Sequence, residues 1–236
     1  MGAAPDRLDA RPPRSGGDGG GRGRAHRLLH GAGLPARRSR RPGCGHRAVP
    51  RLPPGADSNL AANGCGNVRT VNAAVSEFSG RMTFYLERST NLGGTTAIRP
   101  RIVEASFEAD AAPLPHLLTE EELAAARLIK LDVEGGEAAA VRGLAPLLPR
   151  LRDDAELVIE VTPRLLTKQG QAVDDVLGPL REQGFNVYRL ANDYAAASYP
   201  AALARPAPAI RWHGPVTEMS DLVLSRTDAA TLPPRS

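Results

Sequence analysis

The stretch Leu128-Ile129-Lys130-Leu131-Asp132-Val133-Glu134-Gly135-Gly136-Glu137 decides how the rest of the chain is read. Leu128, Ile129 and Leu131 suit a short buried strand of a parallel sheet. Asp132 and Glu134 come where that strand ends. Gly135 and Gly136 allow a tight turn, and Glu137 opens an Ala-rich helix expected to run to about Leu148. In open α/β sheets, ligands bind outside the carboxyl ends of the strands. Three carboxylates and Lys130 are therefore expected at the edge where such sheets do chemistry. Lys130 alternates with Asp132 and should share its side of the strand, as a candidate ion-pair partner. The residues alone leave a second reading open, in which Asp132 caps the helix and Glu134 and Glu137 complement its dipole.

Downstream, residues 156–161 (ELVIEV) read as the next buried strand, with Glu160 near its carboxyl end. Val173, Val176, Leu177 and Leu180 recur at helical spacing within 171–183, and Gly184 closes that helix. Residues 185–190 read as a strand. Residues 195–215 are rich in Ala and Pro and read as an irregular excursion. Residues 219–225 read as a last strand, reached without a long helix and so expected to be an antiparallel edge. Upstream, residues 56–63 read as a short helix ending at Asn63-Gly64, and 68–71 as a strand with Asn72 at its end. Residues 74–86 read as a hairpin turned at Ser79-Gly80, and 102–107 as another extended segment. Residues 89–96 form a polar, Gly-bearing loop. Residues 113–126 hold a helix in which Thr119 and Glu122 match a capping box. Strands alternating with helices imply a mostly parallel α/β sheet covered by helices on both faces.

The run IKLDVEGGE, followed by Val141-Arg142-Gly143 and then Leu157-Val158-Ile159-Glu160-Val161, resembles the FkbM family of S-adenosylmethionine-dependent methyltransferases. That family's hallmark reads K-I-D-V-E-G-x-E, then a helix ending near L-R-G, then a strand ending I-E. Residues 67–85 (NVRTVNAAVSEFSGRMTFY) resemble its N-x-A-V-S-x-x-x-G-x-x-x-F segment. Together the likenesses cover about residues 56–226. They imply a Rossmann-like class I methyltransferase sheet, incomplete at its N-terminal strands, and S-adenosylmethionine as cofactor. They place Asn72, Ala73 and Ala74 near the adenine, and Asp132 at the cofactor. Asp132, then Glu134, become the candidate catalytic bases for a hydroxyl acceptor. Lys130, Glu137, Glu160 and, in the polar loop, Asn91 become candidate substrate contacts. The implied partner is a small-molecule acceptor, a sugar or natural-product hydroxyl, rather than nucleic acid or membrane.

Composition bounds the alternatives. The chain has 236 residues and a formal charge of +4. Residues 1–55 carry 12 Arg and 3 Asp, a balance of +9, so the remainder carries −5. The basic character belongs to the N-terminus. Cys44 and Cys65 are the only cysteines, which excludes a disulfide framework or a Cys-rich zinc site. No apolar run is long enough to span a membrane and no signal-type h-region opens the chain, so the cytoplasm is the expected compartment. Three segments follow: 1–55 basic, 56–226 the methyltransferase-like domain, and 227–236 a frayed tail.

Residues 1–55 lack Tyr, Phe and Trp and show no sustained apolar period, so they do not read as folded protein. The family's D-V-G-A-N-x-G cofactor loop and acidic ribose strand should stand here, and neither does. Back-translating residues 19–33 and reading one base later permits VVDVGAHTGYFTALA, close to that loop. The segment from before Gly19 to about Pro50 is accordingly read as out of frame. A disordered basic arm for nucleic acid or acidic membrane, and a plain tail, are the competing readings. Two other functions compete as well. Asp132, Glu134 and Glu160 are hard oxygen ligands suited to Mg²⁺ rather than Zn²⁺. A degenerate relative acting only through its basic arm would be no enzyme.

Overall fold

The computed structural model describes residues 60–87 and 95–234, and the backbone of two further short strands, β1 (Arg27–Leu28) and β2 (Gly43–Cys44). The expectations for the basic segment and its reading frame, for residues 56–59 and for Asn91 lie outside the described residues. Then come β3 (Val68–Arg69), β4 (Ala74–Val75), β5 (Gly80–Leu86), β6 (Ala105–Ala112), α1 (Leu114–Leu117) and α2 (Glu120–Ala125). The central stretch supplies β7 (Leu128–Leu131) and α3 (Glu137–Leu144), which tightens into a 3₁₀ turn over Ala145–Arg150. There follow β8 (Glu156–Val161), α4 (Pro163–Thr167), α5 (Asp174–Glu182), β9 (Asn186–Arg189), α6 (Tyr199–Ala204), β10 (Ala209–Arg211), β11 (Ser220–Ser225) and β12 (Thr231–Leu232).

Seven strands form one mixed sheet in the order β1-β7-β8-β11-β9-β10-β12. β7 runs parallel to β1 and β8, while β11 runs antiparallel to both β8 and β9. The carboxyl ends of β7, β8 and β9 therefore share one edge with the amino end of β11. Alternation sorts the two faces. Ile129, Leu131, Leu157, Ile159, Leu222 and Leu224 are all buried in the main core, beneath α3 and α5. Each such side chain contributes about 1.5–3 kcal/mol by leaving water. The opposite parity carries Lys130, Glu160 and Asp221, with a small cluster of Tyr188, Ala209, Val223 and Leu232 beyond them. Helices were expected on both faces. Among the described residues, every helix that buries a side chain does so against the first.

Several local readings hold. Thr119 caps α2 with a full capping box: its hydroxyl accepts the Glu122 N–H at 3.2 Å, and the Glu122 carboxylate accepts the Thr119 N–H at 2.9 Å. Gly64 (φ 63°) and Gly184 (φ 79°) end helical turns in the left-handed region. In both, the next residue's N–H donates back to the carbonyl five positions earlier, from Cys65 to Leu60 at 2.9 Å and from Phe185 to Leu180 at 3.0 Å.

Others are corrected. The last long strand, β11, is antiparallel but sits inside the sheet, because Leu222, Val223 and Leu224 are buried and need cover on both faces. The antiparallel edge is made instead by β10 and β12. Residues 195–215 are not wholly irregular, since they hold α6 and β10. The segment expected to fray after Arg226 contains β12, with Leu232 buried. β4 and β5 do not pair as a hairpin. Both lie against β6, in the order β4-β6-β5, with β5 and β6 antiparallel over seven residue pairs. The longer β6 offers more ladder bonds than the two-residue β4 could.

Candidate active site

The turn after β7 is the centre of the site. Of the Gly-Gly pair, Gly135 takes a positive φ of 96°, whereas Gly136 is the N-cap of α3 with φ −89°. A Cβ at Gly135 would also overlap the Ile98 side chain and meet Leu165. Glu134 takes φ 47°, a conformation that strains a residue with a side chain. Three side chains hold this backbone. The Thr96 hydroxyl donates to the Glu134 carbonyl at 2.7 Å. The Gln169 amide donates to the Gly135 carbonyl at 2.6 Å. Oε1 of Glu137 accepts the Gly135 N–H at 2.8 Å.

Asp132 leaves the end of β7 and accepts a hydrogen bond from Lys130 Nζ at 2.8 Å, the ion pair that alternation suggested. Leu131 pairs with Ile159, so the next residues along, Asp132 and Glu160, are neighbours at the sheet edge. Glu160 in turn pairs with Asp221 of β11. Three adjacent strands thus carry a row of carboxylates, with Glu134 above it on the turn. Burial, then Asp132, Asp221 and Glu134, push the Glu160 carboxyl up to about 7, and Lys130 opposes them. Burial and Asp132 raise Glu134. Glu137 is 1% exposed, and burial raises it to about 7 despite its backbone hydrogen bonds; its Oε2 has no hydrogen-bond partner among the described residues.

Three members were not foreseen. Asp221 reaches the row only through the antiparallel register of β11. Asn192, just beyond β9, donates to Asp221 Oδ2 at 2.6 Å. Tyr194 (φ 55°) also bonds Asp221, and burial together with that carboxylate raises its phenol. The sole signal in the sequence was the Asp at the head of a strand in MSDLVLS.

The remaining candidates lie apart. Ala73 and Ala74 are buried and Asn72 is exposed, with β4 in the three-stranded sheet rather than the sheet that carries Asp132. β4 is linked to the site's helix: α3 packs on it, and a Cβ at Gly143 would overlap the Ser76 carbonyl oxygen. Arg142 clasps Glu77 through two bonds of 2.6 and 3.1 Å. The Val141-Arg142-Gly143 segment is therefore a docking device between the two sheets. The divalent-cation reading of Asp132, Glu134 and Glu160 is corrected: among the described residues no group of three or more His, Cys, Asp or Glu is placed to hold a metal ion.

A family model, the methyltransferase FkbM domain, matches residues 36–187. The chain belongs to the FkbM methyltransferase family. The FkbM match covers well over half of the chain. It takes in the β7 turn, α3, β8 and the first half of β9, and it ends before Asn192, Tyr194 and Asp221. No curated protein matches the chain. A crystal structure of methyltransferase FkbM from Methylobacillus flagellatus KT is similar at 13% identity and a TM-score of 0.39. That likeness covers 78% of this chain and 36% of that one, so the chain spans about a third of that protein's length. Among the described residues no helix is long and apolar enough to cross a membrane.

Proposed function

We propose that this FkbM methyltransferase uses S-adenosylmethionine and methylates a hydroxyl group of a sugar or other natural product. The observation that carries the reading is the carboxylate row at the shared edge of β7, β8 and β11. Four carboxylates, Asp132, Glu134, Glu160 and Asp221, face one ammonium, Lys130. Their charge suits a cationic ligand, and the mixed sheet with its site at the carboxyl edge suits a Rossmann-like class I methyltransferase. S-adenosylmethionine supplies, when bound, a methyl group on positively charged sulfur. Asp132 is the residue we assign to the cofactor, with Asn72, Ala73 and Ala74 assigned to the adenine on the family resemblance.

The chain's own residues have two tasks. They orient an acceptor hydroxyl, for which Lys130, Asn192 and Tyr194 supply polar groups around the row. They also receive the hydroxyl proton, which falls to a carboxylate within hydrogen-bond reach. Glu137 lies beneath the turn and holds the Gly135 N–H, a supporting task rather than a substrate contact.

Thermal unfolding tests the reading. A ligand that binds only the folded state at about 100 times its Kd adds about 2.7 kcal/mol. S-adenosylmethionine is expected to raise Tm accordingly, and Asp132→Asn to reduce the rise. An unchanged Tm at millimolar S-adenosylmethionine, both in this chain and in one whose residues 19–50 carry the one-base-shifted reading, would contradict it. Labelled-methyl transfer across a panel of monosaccharides and polyols then identifies the acceptor class.

A further inference from the structure

The register distinguishes the carboxylates of the row from one another. Asp132 has Lys130 on its Oδ2 at 2.8 Å. Asp221 has the Asn192 amide on its Oδ2 at 2.6 Å, and the Tyr194 phenol as well. Glu160 stands between them in the β7-β8-β11 register. Among the described residues it accepts no hydrogen bond and makes no ion pair of its own. The groups that face it are Asp132 and Lys130 from β7, Glu134 from the turn, Asp221 from β11 and Tyr194 from the segment beyond β9. Every carboxylate beside it is committed to a donor or stands on the strained turn.

We propose that Glu160, which stands on a strand rather than on the strained turn and makes no hydrogen bond or ion pair among the described residues, takes the proton from the acceptor hydroxyl. This role rests on the methyltransferase reading above. The hydroxyl O–H bond breaks and its proton passes to a carboxylate oxygen of Glu160. The electron pair left on the acceptor oxygen forms the new bond to the methyl carbon. The co-reactant is a sulfonium methyl donor, and the electron pair of the broken carbon–sulfur bond stays on sulfur. Asp132 is then a charged neighbour held by Lys130, and Asp221 a fixed wall held by Asn192 and Tyr194. Half-burial among like charges suits Glu160 to the task, because a base working near neutral pH needs a carboxyl that titrates there.

The test uses the full chain with ¹³C-labelled glutamate carboxyls, titrated by NMR from pH 4 to 9 without cofactor. One resonance, missing in Glu160→Gln, should titrate near 7, and Asp221→Asn should move its midpoint down by removing a like charge. Calorimetry of S-adenosylmethionine binding to the same samples should show Glu160→Gln binding with wild-type stoichiometry, which establishes that the variant is folded. A Glu160 resonance that titrates with ordinary carboxylates below pH 5, or one unmoved by Asp221→Asn, overturns the role while leaving the methyltransferase reading intact. Failure of both the wild-type chain and a version whose residues 19–50 carry the one-base-shifted reading to bind S-adenosylmethionine overturns that reading and this role with it.

Discussion

Glu137 is a buried carboxyl whose burial has a direct energetic consequence. One oxygen accepts the Gly135 N–H, and the other is buried without a partner among the described residues. Its carboxyl is raised from 4.5 to about 7. Between those values the folded chain holds a proton that the unfolded chain has released. Stability from this group is therefore complete below about pH 4.5 and is lost as pH rises through 7. Its size is up to about 3 kcal/mol, at 1.36 kcal/mol for each unit. Glu137→Gln keeps an acceptor for Gly135 and cannot ionise. In urea denaturation it should be more stable than wild type at pH 8 and nearly equal at pH 4.5. An equal difference at both pH values would contradict the account. Gly135→Ala is a second residue-scale case. It needs a positive φ and would push a methyl group into Ile98 and Leu165, so the turn should be lost together with Glu134's placement. S-adenosylmethionine binding should weaken at least tenfold, or about 1.4 kcal/mol, measured by calorimetry.

The element that joins the site to the rest of the protein is α3. Its N-terminus carries Glu137, and its last turn docks on the β4–β5 connection through Gly143 and Arg142. The two contacts differ in kind. Gly143 has no room for a Cβ against the Ser76 carbonyl, whereas Arg142 and Glu77 form a partly exposed ion pair. Gly143→Ala should cost about 1–3 kcal/mol or more, because backbone must move. Arg142→Ala should cost about 1 kcal/mol or less. Equal losses of Tm for the two would mean that helix and sheet approach less closely than described. Elements of this kind were partly legible. β7 and β8 show as apolar runs beside Gly and acidic residues, and α2 announces itself through Thr119 and Glu122. α4 did not show, because five residues opened by Pro163 give no helical period. β10 and β12 did not either, because three-residue and two-residue strands are defined by their partners rather than by their composition.

At the scale of the whole molecule, chain order and space disagree, and the disagreement makes the site. β11 comes after β9 in sequence but lies between β8 and β9 in the sheet. That insertion sets Asp221 beside Glu160, and the same topology carries Asn192 and Tyr194 to the edge. Asp132, Glu134 and Lys130 could be read from one stretch because strand, turn and helix follow one another there. Asp221, Asn192 and Tyr194 could not, because only the tertiary register brings them in. β5 was misassigned to β4 for the same reason: its true partner, β6, lies eighteen residues further along, over the segment 87–104. The central claim is that the carboxylate edge serves a methyltransferase that binds S-adenosylmethionine. Isothermal titration calorimetry tests it most directly, on this chain and on one whose residues 19–50 are replaced by the one-base-shifted reading. The account predicts one site per chain in the version carrying the shifted segment, weakened by Asp132→Asn. Absence of binding in both versions would contradict it.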